Sequence, residues 1–228
     1  MSETVNVGWR AGATPVLTAI RHHWRPFVFI QIAAIAVAFS YYLLPGFQTW
    51  TKEIAEIKKN GGLPFAALAT AFAGAVLPEL AKRLFAKGKR SFDLADFGFQ
   101  VCLFAFLGVT VDILYRWLGV WLGNSASITV VVEKVVFDQV VYSPIISMPL
   151  CTAAFLWKDS GFNSRRTKTL VHDGSFTKRY VGNMVACWIF WIPTLAAIYA
   201  MPVPLQFCLY LCVEAAWALL LLSMAGRE

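Results

Sequence analysis

Apolar residues dominate six stretches of the chain, and each stretch is long enough to cross a lipid bilayer as a helix. The predicted spans are 27–44, 63–80, 97–122, 135–157, 180–200 and 203–225. Their apolar residues cover every side of a helix rather than one stripe, which argues against a soluble protein built from amphipathic helices. The pattern therefore predicts an all-α, polytopic integral membrane bundle of about six transmembrane helices.

The composition of the chain fits a bilayer better than water. Of the 228 residues, 14% are charged, whereas soluble domains carry roughly a quarter of charged residues. We expect a basic, interfacial N-terminal segment at 1–26 and a single transmembrane bundle domain at 27–228. The amphipathic segment 50–60 is too short and too charged to span, and it is predicted to lie along the membrane surface.

Basic residues predict the orientation of the bundle. Lys and Arg cluster before the first span, between spans two and three and between spans four and five, while the loops around Asn124 and Met201 have none. Because basic loops stay on the cytoplasmic side, both termini are expected on the cytoplasmic or equivalent inner side. The basic residues lie in short connectors rather than along an aromatic-lined groove, which favours the lipid bilayer over nucleic acid as their partner.

Residue types that carry enzymatic chemistry are poorly placed. The three histidines fall in loops, and the five cysteines lie in predicted spans without metal-ligand spacing. Nucleophile elbows, phosphate-binding glycine loops and dinucleotide fingerprints are absent. The sequence thus favours a protein that is not an enzyme, and it predicts neither a metal nor a cofactor.

Ionisable residues at membrane depth are the candidate functional groups. They are Glu79, Asp112, Arg116, Lys134, Asp138 and Glu214. A charge at the bilayer centre costs about 2.5–3.5 kcal/mol, so such residues usually face the bundle interior or water. Asp112 and Arg116 are four residues apart, as are Lys134 and Asp138, and each pair can neutralise itself on one helix face.

The other two carboxylates each leave two interpretations open. Glu79 either faces the interior or is drawn to the interface by Lys82 and Arg83. Glu214 has no basic neighbour in sequence, so it is either a lone functional carboxylate or a hydrogen-bonded group in helix packing. The membrane-depth set therefore contains four carboxylates against two cations.

Prolines interrupt two of the predicted spans. Pro144 and Pro149 lie in span four and Pro193 in span five, where each removes a backbone hydrogen bond and predicts a kink. Carbonyls freed in this way must be satisfied by neighbours or by water. A polar pathway and a packed structural kink both fit this pattern.

The region around these residues resembles a known family. Lys134, Asp138-Gln139 and Pro144 match the K-x-x-x-D-Q-x-x-x-x-P motif of the Mpv-seventeen and twenty-two-kilodalton peroxisomal membrane protein family. Further matches are Gly108, Tyr115, Leu118, Met201-Pro202, Cys212-Val213 and Trp217, so the resemblance covers residues 97–225. It implies a small protein of the inner mitochondrial, peroxisomal or a bacterial inner membrane, and a weakly selective channel.

We therefore expect a channel-like membrane protein that passes small solutes or ions. The expected polar pathway is formed by Lys134, Asp138, Gln139 and Pro144, with Asp112, Arg116 and Glu214 facing the same interior. Two alternatives stay open: a proton- or cation-coupled small-solute transporter, and a non-transporting scaffold that binds lipid or a partner protein. Small residues in the second span are compatible with a homo-oligomer.

Overall fold

A computed structural model describes residues 24–85 and 93–225, which are helical almost throughout and contain no strand. The α-helices are α1 (Trp24–Leu43), α2 (Pro45–Ala71), α3 (Leu77–Phe85), α4 (Leu94–Trp121), α5 (Ile128–Phe137), α6 (Met148–Asp159), α7 (Ser164–His172), α8 (Ser175–Tyr199) and α9 (Val203–Ala225). Two π-helices, π1 (Phe72–Val76) and π2 (Asp138–Ser147), join α2 to α3 and α5 to α6. The all-α prediction is confirmed for the described residues. The predicted interfacial segment 1–26 lies almost entirely outside them.

Among the described residues, four helical stretches are long and apolar enough to cross a membrane. They are Pro45–Leu80, Leu94–Trp121, Ile128–Asp159 and Ser175–Tyr199. Two shorter apolar helices, Val28–Leu43 and Val203–Trp217, correspond to the first and last predicted spans. α8 runs through Pro193 as one helix, and the predicted kinks in the fourth and fifth spans stay predictions.

The described chain forms two compact units. Residues 137–192 make one, here called the hairpin unit, and residues 25–85, 93–136 and 193–225 make the other, here called the main unit. In the main unit, α2 packs against α4 and α9. The hairpin unit contains π2, α6, α7 and most of α8.

Within the main unit, α2 and α4 approach each other closely at a glycine. A Cβ atom on Gly108 would lie 2.5 Å from the carbonyl oxygen of Ala66 and would also collide with the Thr70 side chain. Ala66 and Thr70 are themselves fully buried. The missing side chain of Gly108 therefore allows the two backbones to pack in direct contact.

α2 is interrupted at Gly62. This residue has φ 52° and ψ −142°, a conformation that only glycine adopts without strain. Pro64 follows two residues later and cannot donate a backbone hydrogen bond. The interruption separates the charged first half of α2 from its apolar second half, and it coincides with the predicted start of the second span.

The connector in the hairpin unit is helical and exposed. Asn163 caps α7 by accepting hydrogen bonds from the backbone N–H groups of Arg165 and Arg166, at 3.0 and 3.1 Å. Asp173 accepts a hydrogen bond from Ser175 N at the start of α8, and hydrogen bonding to Ser175 lowers the pKa of the Asp173 carboxyl. The basic residues predicted between spans four and five thus lie on an ordered segment.

The interruption in α2 can be tested with Gly62→Ala. We expect the variant to lose about 1–3 kcal/mol of unfolding free energy, because a Cβ is strained at this φ and ψ. Thermal unfolding of the purified protein in detergent micelles measures the change. Gly46→Ala is the matched control, since Gly46 lies in the first turn of the same helix with open space around its Cα. Equal effects of the two substitutions would contradict the strain argument.

Candidate functional site

A closed hydrogen-bond triangle lies in π2 of the hairpin unit. Gln139 Nε2 donates to Asp138 Oδ1 at 2.9 Å and to Ser143 Oγ at 3.1 Å, and Ser143 Oγ donates to Asp138 Oδ1 at 3.2 Å. All three side chains are buried. Ser143 comes five residues after Asp138, which is one turn of a π-helix, so the π conformation brings the hydroxyl to the carboxylate.

Pro144 leaves one carbonyl of this π-helix without its backbone partner. In a π-helix the N–H of residue i+5 donates to the carbonyl of residue i, so the missing N–H of Pro144 orphans the carbonyl of Gln139. Trp188 of α8 donates its indole N–H to that carbonyl at 3.0 Å. The sequence predicts a freed carbonyl near Pro144, and Trp188 is the neighbour that satisfies it.

Further contacts join α8 to the same helix. Cys187 Sγ lies 3.6 Å from Gln139 Oε1 and donates to it. The Tyr180 hydroxyl donates to the carbonyl of Pro144 at 3.0 Å. Gln139 therefore uses both amide hydrogens, its side-chain oxygen and its backbone carbonyl, which fixes its orientation in the hairpin unit.

A buried cluster of three charges lies in the main unit. Lys58 Nζ is 2.6 Å from Asp112 Oδ1, and both side chains are less than 5% exposed. Arg116 Nη2 lies 2.9 Å from Asp112 Oδ2, with its side chain half exposed. The second contact is an ion pair by distance only, because Oδ2 accepts no hydrogen bond within the described residues. The Lys58 ammonium also lies 4.8 Å from the ring centroid of Phe207.

The Asp112–Arg116 pair was predicted from spacing, whereas the contribution of Lys58 was not. Segment 50–60 was expected along the membrane surface, but Lys58 is buried against α4. The physical reason is that Asp112 needs a buried counter-charge, which the half-exposed Arg116 supplies only in part. The excess of carboxylates over cations in the membrane-depth set was the signal that a further cation was needed.

Lys134 is fully buried in the main unit. Its Nζ atom makes no hydrogen bond to any described residue and lies 6.0 Å from the ring centroid of Tyr199. The expected neutralisation of Lys134 by Asp138 stays a prediction. In the hairpin unit, the change from α to π conformation begins at Asp138, whose carboxylate accepts hydrogen bonds from Gln139 and Ser143.

The two remaining carboxylates have different environments. Glu79 Oε1 lies 3.3 Å from Arg83 Nε, which agrees with the interpretation that basic neighbours draw Glu79 to the interface. The side chain of Lys82, the other basic neighbour, lies outside the described residues. Glu214 is buried in α9 of the main unit. Gln206, also in α9, donates to the carbonyl of Met201 at 2.8 Å and leaves its own buried Oε1 without a partner among the described residues.

The fold and these sites define an all-helical protein of membrane type with charged and amide side chains buried among apolar helices. Within residues 24–85 and 93–225, no group of His, Cys, Asp or Glu side chains is arranged to hold a metal ion. No family model matches the chain, and neither the curated proteins nor the solved structures compared with it contain a match.

A double-mutant cycle tests the role of Trp188. We expect Trp188→Phe to cost about 1–3 kcal/mol of unfolding free energy, because it leaves the Gln139 carbonyl unsatisfied in apolar surroundings. In a Pro144→Ala background the same substitution should cost clearly less, since the introduced alanine restores a backbone N–H for that carbonyl. Unfolding in micelles gives the coupling energy. Equal costs in both backgrounds would contradict the hydrogen-bond explanation.

The buried charge cluster is tested by Lys58→Met. We expect a loss of about 3–5 kcal/mol of unfolding free energy, because the substitution leaves Asp112 buried with only the half-exposed Arg116 as counter-charge. The double variant Lys58→Met with Asp112→Leu should recover most of that loss. Lys59→Met is the control, since Lys59 is exposed and should change stability by at most about 0.5 kcal/mol. Similar losses for Lys58→Met and Lys59→Met would rule out a buried pair.

Proposed function

We propose that this protein is a channel-like integral membrane protein that passes small solutes or ions along a polar path inside its helical bundle. Six crossings are proposed, made by the four long helices together with the shorter α1 and α9. Both termini then lie on the inner side, and the basic connector around α7 lies on that side as well.

The observation that carries the proposal is the buried ammonium of Lys134. Its three N–H donors find no acceptor among the described residues, and an ammonium buried without acceptors is strongly disfavoured in an apolar environment. A water molecule or a passing solute in a polar path would supply those acceptors. A purely packed core would not accommodate this group at the same position.

The hairpin unit supplies a second group of buried polar side chains. Asp138 is buried, and its carboxyl group is held in place by hydrogen bonds from Gln139 and Ser143. We assign Asp138 as the anionic group of the path and Lys134 as the cationic one.

The resemblance to the Mpv-seventeen and twenty-two-kilodalton peroxisomal membrane protein family supports the same class of function. The residues of its motif, Lys134, Asp138-Gln139 and Pro144, are the ones that carry the buried polar groups and the π-helix described above. Membership in that family, and location in a bacterial inner membrane or an organellar membrane, are part of the proposal.

A non-transporting scaffold is the second candidate function. The observation that favours it is the mutual satisfaction of Asp138, Gln139 and Ser143, which is what a structural cluster requires. The proposed channel and the scaffold differ in one measurable property, namely flux across a bilayer.

Ion preference tests the proposed path. We expect Asp138→Asn to shift selectivity toward anions and Lys134→Met to shift it toward cations. A charge about 8 Å from a passing ion, at an effective dielectric constant of about 40, contributes about 1 kcal/mol, or about fivefold in relative permeability. The reversal potential of the purified protein in planar bilayers under a KCl gradient measures both shifts. The carboxamide of Asp138→Asn keeps an oxygen acceptor for Gln139 and Ser143.

Glu133→Gln is the matched control, since Glu133 is exposed beside Lys134 on the same helix and should leave the reversal potential unchanged. Conductance with the same selectivity in all four proteins would remove both residues from the path. Absence of flux under any voltage or pH gradient would favour the scaffold.

A further inference from the structure

A surface groove in the main unit combines an apolar wall with one cationic side chain. It has a volume of about 390 Å³ and is lined by Leu63, Ile113, Arg116, Trp117 and Val120. The apolar side chains are all substantially exposed, with Val120 at 87%. In a bilayer such a groove faces acyl chains, so its apolar part needs no protein partner.

The charge of the groove follows from the buried cluster behind it. Lys58 and Arg116 carry two positive charges against the single negative charge of Asp112, which leaves the cluster with a net charge of about +1. Lys58 and Asp112 are shielded inside the protein, while half of the Arg116 side chain is exposed. The uncompensated positive charge is therefore presented at the groove.

Arg116 has donors available for a ligand. Although its Nη2 atom is 2.9 Å from Asp112 Oδ2, that oxygen accepts no hydrogen bond within the described residues. The contact with Asp112 therefore involves one guanidinium nitrogen, and the half-exposed side chain leaves the other N–H groups accessible to a ligand. A guanidinium of this kind matches the geometry of a phosphate group, to which it can donate two parallel hydrogen bonds.

The position of Arg116 along α4 matches the level of lipid headgroups. Trp117 and Trp121 form a ring pair with centroids 4.8 Å apart, and Trp121 is the last residue of the helix. Tryptophan rings concentrate at the membrane interface. Arg116 lies five residues before the helix end, or about 7.5 Å along the axis, which is within reach of the headgroup layer for a long side chain.

We propose that this groove is a binding site for one anionic phospholipid, with its phosphate at Arg116 and an acyl chain against Ile113, Trp117 and Val120. Charge complementarity selects this occupant, because a second copy of the chain packed on the apolar wall would cover Arg116 without compensating it. A zwitterionic lipid offers the same acyl chain but no net negative charge. Arg116 was expected to face the polar path, whereas this site uses its half-exposed side chain at the surface of the main unit; the test of the site does not depend on transport.

Lipid retention by the purified protein tests the proposal. The delipidated protein is mixed in detergent with equal amounts of phosphatidylglycerol and phosphatidylcholine, and native mass spectrometry counts the bound lipids. We expect the wild type to retain one phosphatidylglycerol in preference to phosphatidylcholine. Arg116→Gln should reduce that preference about fivefold, as expected for the loss of one cation near the headgroup layer.

Arg179→Gln is the matched control, because Arg179 is also a half-exposed arginine paired with a carboxylate, that of Asp159. A general attraction of the basic connectors to anionic lipid would be reduced equally by both substitutions, whereas a single site at Arg116 predicts a clearly larger loss of preference in Arg116→Gln. Val120→Asn keeps the charge and should lower retention of both lipids about threefold, as expected for about 30 Å² of lost apolar contact. Because Val120 is exposed, Val120→Asn should fold, and it tests lipid binding in the groove even if Arg116→Gln does not fold.

Four outcomes would overturn the proposal. They are equal retention of the two lipids by the wild type, an unchanged preference in Arg116→Gln, an equal loss of preference in Arg179→Gln, and a lipid-free dimer. Displacement of phosphatidylglycerol by an equal concentration of oleate would likewise assign the groove to a single-chain amphiphile instead. None of these results depends on a flux measurement, so the lipid site and the proposed channel are tested separately.

Discussion

The ion pair between Lys58 and Asp112 shows the constraint that governs this protein, namely that a charge among apolar helices needs a counter-charge or hydrogen bonds. Its 2.6 Å separation joins the first half of α2 to the middle of α4. The first half of α2 is charged enough to lie in water, yet it packs into the main unit because Asp112 has no other buried cation beside it among the described residues. Gly62 then permits the turn into the apolar second half of the helix.

The same constraint explains the π-helix in the hairpin unit. Pro144 has no backbone N–H, so the carbonyl of Gln139 lacks its donor within the helix. In apolar surroundings this carbonyl needs a hydrogen-bond donor from elsewhere. The indole of Trp188 provides that donor, while Asp138, Gln139 and Ser143 satisfy one another across one π turn. A helical defect that would be costly alone is thus stabilised by side chains of two neighbouring segments.

Lys134 departs from this pattern, and we propose a role in the polar path for it on that ground. Lys58 and Gln139 are buried with an ion-pair or hydrogen-bond partner, whereas the ammonium of Lys134 makes no hydrogen bond to a described residue and lies 6.0 Å from the ring centroid of Tyr199. Buried polar groups without partners occur where water, an ion or a substrate completes the site. The half-exposed Arg116 is a milder case at the protein surface, where a lipid phosphate completes the site we infer.

The sequence by itself determined the helical class, the positions of the apolar helices and the Asp112–Arg116 pair, because a helix repeats every 3.6 residues and contacts within it depend only on local spacing. Its charge count also showed an excess of carboxylates over cations at membrane depth. Only the tertiary structure decided that Lys58, 54 residues before Asp112, supplies a further cation, and that Trp188 serves the carbonyl freed by Pro144. It also decided that Asp138 accepts hydrogen bonds from Gln139 and Ser143 within a π-helix that begins at Asp138. Contacts between helices depend on how their surfaces pack, and local periodicity does not encode which distant side chain will face a buried charge.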